Sequence, residues 1–269
     1  MKKIFKYAML FAMVCSLTTA MTSCSSNDDD TPQTGQLSEG DKYLQKVLAA
    51  NVDNTINPTY KALADGCEKL NNELEALTPG SITQQQVDNV CKTFLEARAN
   101  YESSEAFLLG AASHFLIDPH IDSWPLGLNE LYNYLKADHK YKITDQSILG
   151  FHGIEFILFR DGKPRKAAEL NSHDSYNQAG IDFTIFSGTQ ELDYAKAVAE
   201  DLRNSVYRLE CSWDENANKE HVKVLDELET VYKTDKGFSY GYEMKNAGDP
   251  TKSTYNTVKL AVSSVLTGD

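Results

Sequence analysis

One short stretch of the chain, residues 147–159, combines two side chains that could bind a ligand with a strongly apolar setting. His152 and Glu155 are three residues apart, and on a helix this spacing places both on one face, with Cβ atoms about 5–6 Å apart. Imidazole nitrogen and carboxylate oxygen both suit zinc and iron, so the pair is half of a metal site. It could equally be a hydrogen-bonded pair, because burying either group without a partner is costly.

The residues around His152 and Glu155 limit which kinds of site the pair can form. Apolar residues fall on every side of the helix, which predicts that it is buried all round and that the His/Glu site is a buried one. Gly150 and Gly153 share a face, where they would let another backbone or a ligand approach closely. Helical zinc peptidases carry H-E-x-x-H or H-x-x-E-H. Here Gly153 follows His152 and Phe156 follows Glu155, so neither peptidase pattern is met.

Further ligands must come from other segments. Glu105 is a candidate third ligand from a facing helix, as in metal sites built between bundle helices. Arg98 and Glu102 are spaced for a surface ion pair, and Trp124 belongs to an apolar segment, 113–125, that should pack on the bundle. His221 lies in polar surroundings, which predicts that it is exposed. Four other polar residues of segment 113–125 are possible metal ligands, although they match no defined ligand spacing: His114, Asp118, His120 and Asp122.

The rest of the mature chain predicts an all-α fold. Apolar residues recur at helical spacing through most of it, and strand-like alternation is rare. We expect a first helical bundle over 39–165 that carries the His152 helix, with Pro58 breaking or kinking its first helix. A linker and a second helical domain, short or incomplete, should follow over 166–269.

The N-terminal residues predict export rather than structure. A basic start and a short apolar run lead to Met21-Thr22-Ser23-Cys24, so residues 1–23 read as a secretory signal of the lipoprotein type, with Cys24 as the lipidated residue. Residues 24–38 read as a flexible acidic tether. Loss of residues 1–23 would leave 23 basic and 39 acidic side chains, a net charge of −16 instead of −13. Such acidity disfavours nucleic acid as a partner.

Several segments together resemble the imelysin-like family, which is also classed as a metallopeptidase family. The motif G-x-H-x-x-E matches residues 150–155, and the similarity extends to three further segments in the same order: 97–107, 121–126 and 194–202. The resemblance implies an all-helical fold of two bundle-like domains, with the motif near their interface. It also implies an exported or lipid-anchored bacterial protein, with iron uptake as the role of several members.

The leading hypothesis is a lipid-anchored protein on the bacterial outer membrane, at the cell surface or facing the periplasm, that binds a divalent or ferric metal ion. Iron, zinc or a haem-related ligand would be held by His152, Glu155 and Glu105. Gly150 and Gly153 would allow close approach, Arg98 and Trp124 would shape the site, and a metal-uptake transporter would be the partner. Two alternatives stay open: a metallopeptidase of the imelysin type, and a structural or interaction lipoprotein with a metal-free His–Glu pair.

Overall fold

A computed structural model describes residues 37–137, 142–173 and 176–268. The predicted signal peptide, Cys24 and nearly all of the predicted tether lie outside these residues. Helices dominate the described residues, which confirms the all-α prediction. Strands are confined there to two short antiparallel hairpins, β1 (Phe159–Arg160) with β2 (Lys163–Pro164) and β3 (Asn177–Gln178) with β4 (Ile181–Asp182). The helices, in chain order, are α1 (Glu39–Asn51), α2 (Asn57–Glu75), α3 (Gln84–Ser104), α4 (Ala111–His114), α5 (Ile117–Ile121), α6 (Leu128–Lys136), α7 (Gly150–Leu158), α8 (Ala167–Leu170), α9 (Gly188–Trp213), α10 (Lys219–Glu227), α11 (Tyr240–Lys245) and α12 (Val258–Thr267).

Helix α2 forms the centre of the core and packs along both α3 and α9. The starts of α3 and α9 are set by capping boxes, in which Thr83 pairs with Gln86 and Ser187 pairs with Gln190. These reciprocal bonds satisfy backbone donors that a helix leaves open at its N-terminus. The core side chains of α2 recur at helical spacing and are fully buried: Tyr60, Leu63, Ala64, Cys67, Leu70 and Leu74.

Helices α1 and α2 run in line through a π-helical turn, Val52–Ile56, that ends just before Pro58. Proline lacks a backbone N–H and cannot complete the regular helical ladder, so an irregular turn ahead of it is expected. Pro58 thus sits in the first turn of α2, where its missing donor is harmless.

The residues on both sides of the predicted boundary at 165–166 pack closely on the bundle. Arg165 is 1% exposed and its Nη2 lies 2.6 Å from Oε2 of Glu191, which is itself fully buried on α9. Gly188 donates a backbone hydrogen bond of 2.7 Å to Ser172. From Leu37 onward the chain forms one compact unit, while the division into domains at residues 165–166 stays a prediction. Among the described residues, no helix combines the length and apolar character needed to cross a membrane.

Candidate functional site

Helix α7 carries the motif and presents two different faces. Phe151 and Ile154 are fully buried, and α7 packs on α9 and α3. The other face carries His152 and Glu155, whose side chains are 18% and 53% exposed. The prediction of a helix buried on all sides, with a buried His/Glu site, is therefore wrong. The apolar residues pack on two neighbouring helices, and the polar pair lies on the remaining side, open to solvent.

The two motif glycines make room for the protein's own atoms. A Cβ built on Gly150 would lie 2.8 Å from Cα of Ile121 and closer still to its carbonyl group. A Cβ on Gly153 would lie 2.8 Å from the Ile148 carbonyl oxygen and would overlap with the hydroxyl of Tyr194. That hydroxyl donates a 2.5 Å hydrogen bond to the same Ile148 oxygen. Of the two expectations, backbone or ligand, the structure thus supports close backbone approach.

The approach of Ile121 to Gly150 brings Asp122 beside the motif histidine. Nε2 of His152 lies 3.1 Å from Oδ1 of Asp122, and its Nδ1 lies 3.1 Å from Oε2 of Glu155. The imidazole is therefore held between two carboxylates. From the sequence, Asp122 was only one of four possible ligands in segment 113–125, because no local spacing links residues 122 and 152. Its position directly after Ile121, in a segment predicted to pack on the bundle, was the remaining signal.

Arg98, on α3, is tied to the same aspartate. One guanidinium nitrogen of Arg98 contacts Oδ1 of Asp122 closely, and Nη2 lies 3.2 Å from Oδ2. Its Nε lies 2.6 Å from Oε1 of Glu102, which matches the predicted i,i+4 pair. The guanidinium carbon also lies 5.0 Å from the ring centroid of Tyr101 and 5.3 Å from that of Phe151. Arg98 is thus fixed by two carboxylates and two aromatic rings.

The two remaining predicted residues lie at the edge of this cluster. Glu105 is exposed, in a 3₁₀ turn that follows α3. Desolvation and the neighbouring Glu102 carboxylate raise the pKa of Glu105. Trp124 is 73% exposed, and its ring centroid lies 4.7 Å from that of His152. Segment 113–125 therefore packs through other residues, while Trp124 lies beside the imidazole at the surface.

The charges of this site favour a cation. Four carboxylates interact with one another or with His152, and Arg98 is the permanent positive charge among them; the carboxylates belong to Glu102, Glu105, Asp122 and Glu155. The hydrogen bond with His152 lowers the pKa of Glu155, aided by the charge of Arg98. An ionised carboxylate and an imidazole nitrogen are suitable metal donors at neutral pH.

The distances between these donors can be compared with those of a metal site. Over residues 37–137, 142–173 and 176–268, no group of three His, Cys, Asp or Glu side chains converges closely enough to hold a metal ion. Two donors are nevertheless spaced like adjacent ligands. Ligand bonds of about 2.1 Å separate neighbouring donor atoms by about 3.0 Å in an octahedral site and about 3.4 Å in a tetrahedral one. His152 Nε2 and Asp122 Oδ1 are 3.1 Å apart, a distance that an ordinary hydrogen bond also gives. The donor chemistry fits a metal ion, and a third ligand requires side-chain movement.

Two further histidines make carboxylate contacts outside this cluster. His120 Nε2 lies 2.6 Å from Oδ2 of Asp201. His221 is only 1% exposed, its Nδ1 lies 2.5 Å from Oε2 of Glu210, and its ring stacks on Tyr207. The prediction that His221 is exposed is therefore wrong, because α10 folds back onto α9 and covers it.

Comparison with known proteins identifies the family. The model of the imelysin family, also described as a peptidase family, matches residues 56–265. This chain belongs to the imelysin family. The match includes the G-x-H-x-x-E motif on α7 and all the residues of the site described above.

Two relatives of the chain are described as iron-regulated proteins. Iron-regulated protein A of Synechococcus elongatus is 27% identical over 119 residues, covering 44% of this chain and 33% of the relative. The crystal structure of an iron-regulated protein A precursor from Parabacteroides distasonis superposes with a TM-score of 0.64 at 23% identity, covering 86% of this chain and 56% of that one. The latter likeness shows the fold alone. The matches thus span about half of the relatives' length or less.

Proposed function

We propose that this imelysin-family protein binds a metal cation, with iron as the favoured ion, at the cluster of His152, Asp122 and Glu155, and serves in iron uptake. The observation that carries the proposal is the imidazole held between two carboxylates on an open face of α7. Nitrogen and oxygen donors of this kind suit iron and zinc. The name of the Synechococcus elongatus relative, iron-regulated protein A, supports iron as the ion.

The residues of the site would have different roles in binding the cation. His152 Nε2 and Asp122 Oδ1 would be adjacent ligands, and Glu155 would either orient the imidazole through Nδ1 or join as a ligand. Glu105 and Glu102 would supply negative charge at the edge. A lipid anchor on Cys24, carried by a bacterial membrane, would keep the site outside the cytoplasm, where a metal-uptake transporter would be its partner.

Direct binding tests the proposal. Calorimetric titration of the purified full chain with Fe²⁺ under anaerobic conditions, and with Zn²⁺, should give saturable binding that His152→Ala and Asp122→Asn weaken strongly. His173→Ala is the matched control, because His173 is exposed and its backbone forms a bridge to Ser187 that the substitution preserves. Equal binding by wild type and His152→Ala, or no binding by either, would refute the proposal.

Tryptophan emission gives an independent readout of the same site. The chain has two tryptophans. Trp124 lies beside His152, whereas Trp213 is 1% exposed in the core. Fe²⁺ bound at the cluster should therefore quench the emission of Trp124, and Trp124→Phe should abolish this change while leaving the emission of Trp213.

The alternatives give different results in these experiments. A metallopeptidase, the activity in the family's description, requires chelator-sensitive cleavage of a protein substrate that Glu155→Gln abolishes. A structural role for the His–Glu pair requires that His152→Ala lowers thermal stability while metal binding is absent from wild type and variant alike.

A further inference from the structure

Arg98 occupies the carboxylate that the proposed cation needs. Both oxygens of Asp122 face the guanidinium, and Nη2 lies 3.2 Å from Oδ2. Asp122 Oδ1 also lies 3.1 Å from His152 Nε2. A cation bound between that nitrogen and that oxygen would therefore be in direct competition with the guanidinium for the same oxygen.

Several contacts besides Asp122 hold the Arg98 side chain in place. Its Nε pairs with Glu102 at 2.6 Å, and the rings of Tyr101 and Phe151 lie against the guanidinium. Because these contacts already fix the Arg98 side chain, it loses little further conformational entropy when it pairs with Asp122. The side chain is also only 22% exposed, so solvent screens its charge incompletely.

We infer that Arg98 is a built-in competitor for the cation: it pairs with both Asp122 and Glu102, and a cation must displace it or share Asp122 with it in order to bind. The inference rests on the proposed function, since it concerns the same site. The consequence is that the site binds the cation less tightly than it would if Arg98 were absent. Binding would then be reversible enough for the ion to be passed on.

The opposite role would be that of a positioning residue. If Arg98 served to hold Asp122 in place for the cation, its removal would weaken binding. The two roles predict effects of opposite sign for one substitution, so affinity alone separates them.

The test compares Arg98→Gln with wild type in calorimetric titrations of the full chain with ZnCl₂, a redox-inert probe. We expect Arg98→Gln to bind Zn²⁺ about tenfold more tightly or better, because like charges a few ångströms apart still repel near a protein surface. Lys92→Gln is the matched control. Lys92 lies on the same helix, 76% exposed, and pairs with Glu96 at 3.7 Å in the same i,i+4 arrangement. The Lys92→Gln variant should bind Zn²⁺ with the same affinity as wild type.

The possible outcomes separate the competitor role of Arg98 from the proposed function. Equal or weaker binding by Arg98→Gln, with wild type binding, overturns the competitor role and leaves the proposed function standing. No binding by either protein overturns both. Binding by Arg98→Gln alone supports the competitor role and refutes the proposed function for the wild-type site. Should Arg98→Gln fail to fold, Arg98→Met provides the same test, since methionine removes the charge and keeps an unbranched side chain beside the rings of Tyr101 and Phe151. Tighter binding than wild type then supports the inference, and equal or weaker binding overturns it.

Discussion

Gly150 offers the sharpest test of how this site is assembled. The residue has a φ of +73°, and a Cβ there would overlap with the backbone of Ile121. Gly150→Ala should therefore impose two separate costs. One is the backbone conformation, which L-residues adopt reluctantly, and the other is the displacement of the Ile121–Asp122 segment from α7.

A second glycine separates these costs. Gly162 has nearly the same φ, +71°, in the turn between β1 and β2, and nothing lies within 4 Å of the position its Cβ would take. Gly162→Ala should cost about 1 kcal/mol, because the strain of about 1–2 kcal/mol is partly offset by a less flexible unfolded chain. Gly150→Ala carries the same strain plus forced overpacking against backbone, for which about 1–3 kcal/mol is typical. We therefore expect Gly150→Ala to lower the free energy of unfolding by about 2–4 kcal/mol.

Urea denaturation followed by circular dichroism measures both free energies, and cation titration of the same samples measures the site. Gly150→Ala should also weaken cation binding, since Asp122 moves with Ile121, whereas Gly162→Ala should not. If the two variants lost the same stability, close packing of Ile121 on Gly150 would not be what holds the segment in place. If Gly150→Ala lost stability but bound the cation normally, Asp122 would not be a ligand.

Three further predictions concern the surroundings of the site. Tyr194→Phe removes a buried hydrogen bond and should cost about 1 kcal/mol in urea denaturation, whereas Tyr43→Phe, at a residue 68% exposed, should cost almost nothing; equal effects would contradict this. Glu191→Ala deprives Arg165 of a buried counter-charge and should cost about 3–5 kcal/mol, largely recovered on adding Arg165→Met; a single variant as stable as wild type would refute it. The hydrogen bond with the motif histidine lowers the pKa of Glu155 from its ordinary value, so the stability from this contact is present above the ordinary pKa of a glutamate and is lost as the pH falls through the lowered pKa. The stability gap between wild type and Glu155→Gln should therefore shrink from about pH 7 to about pH 3, and a constant gap would argue against the contact.

The elements of the fold were largely predictable because their signals are local. Helical spacing of apolar residues predicts a helix that is capped by Ser81 or Thr83 and ends near Ala112. The helix, α3, is capped by Thr83 and begins at Gln84, yet it stops at Ser104. The apolar run beyond that point resembles a continuing helix, but it turns away through a 3₁₀ turn and Gly110, whose φ is +59°. Tertiary packing of the following short helices decides that bend.

The sequence by itself determined the all-α fold, the His152–Glu155 pair on one face of a helix, and the segments that identify the imelysin family. Each depends on residues within a turn or two of one another, where spacing translates directly into geometry. Only the tertiary structure decided that Asp122 completes the pair, that Arg98 holds Asp122, and that the site lies open to solvent. These contacts join residues that are 24 and 30 positions apart. They depend on which backbone fits against Gly150, and no local spacing encodes that.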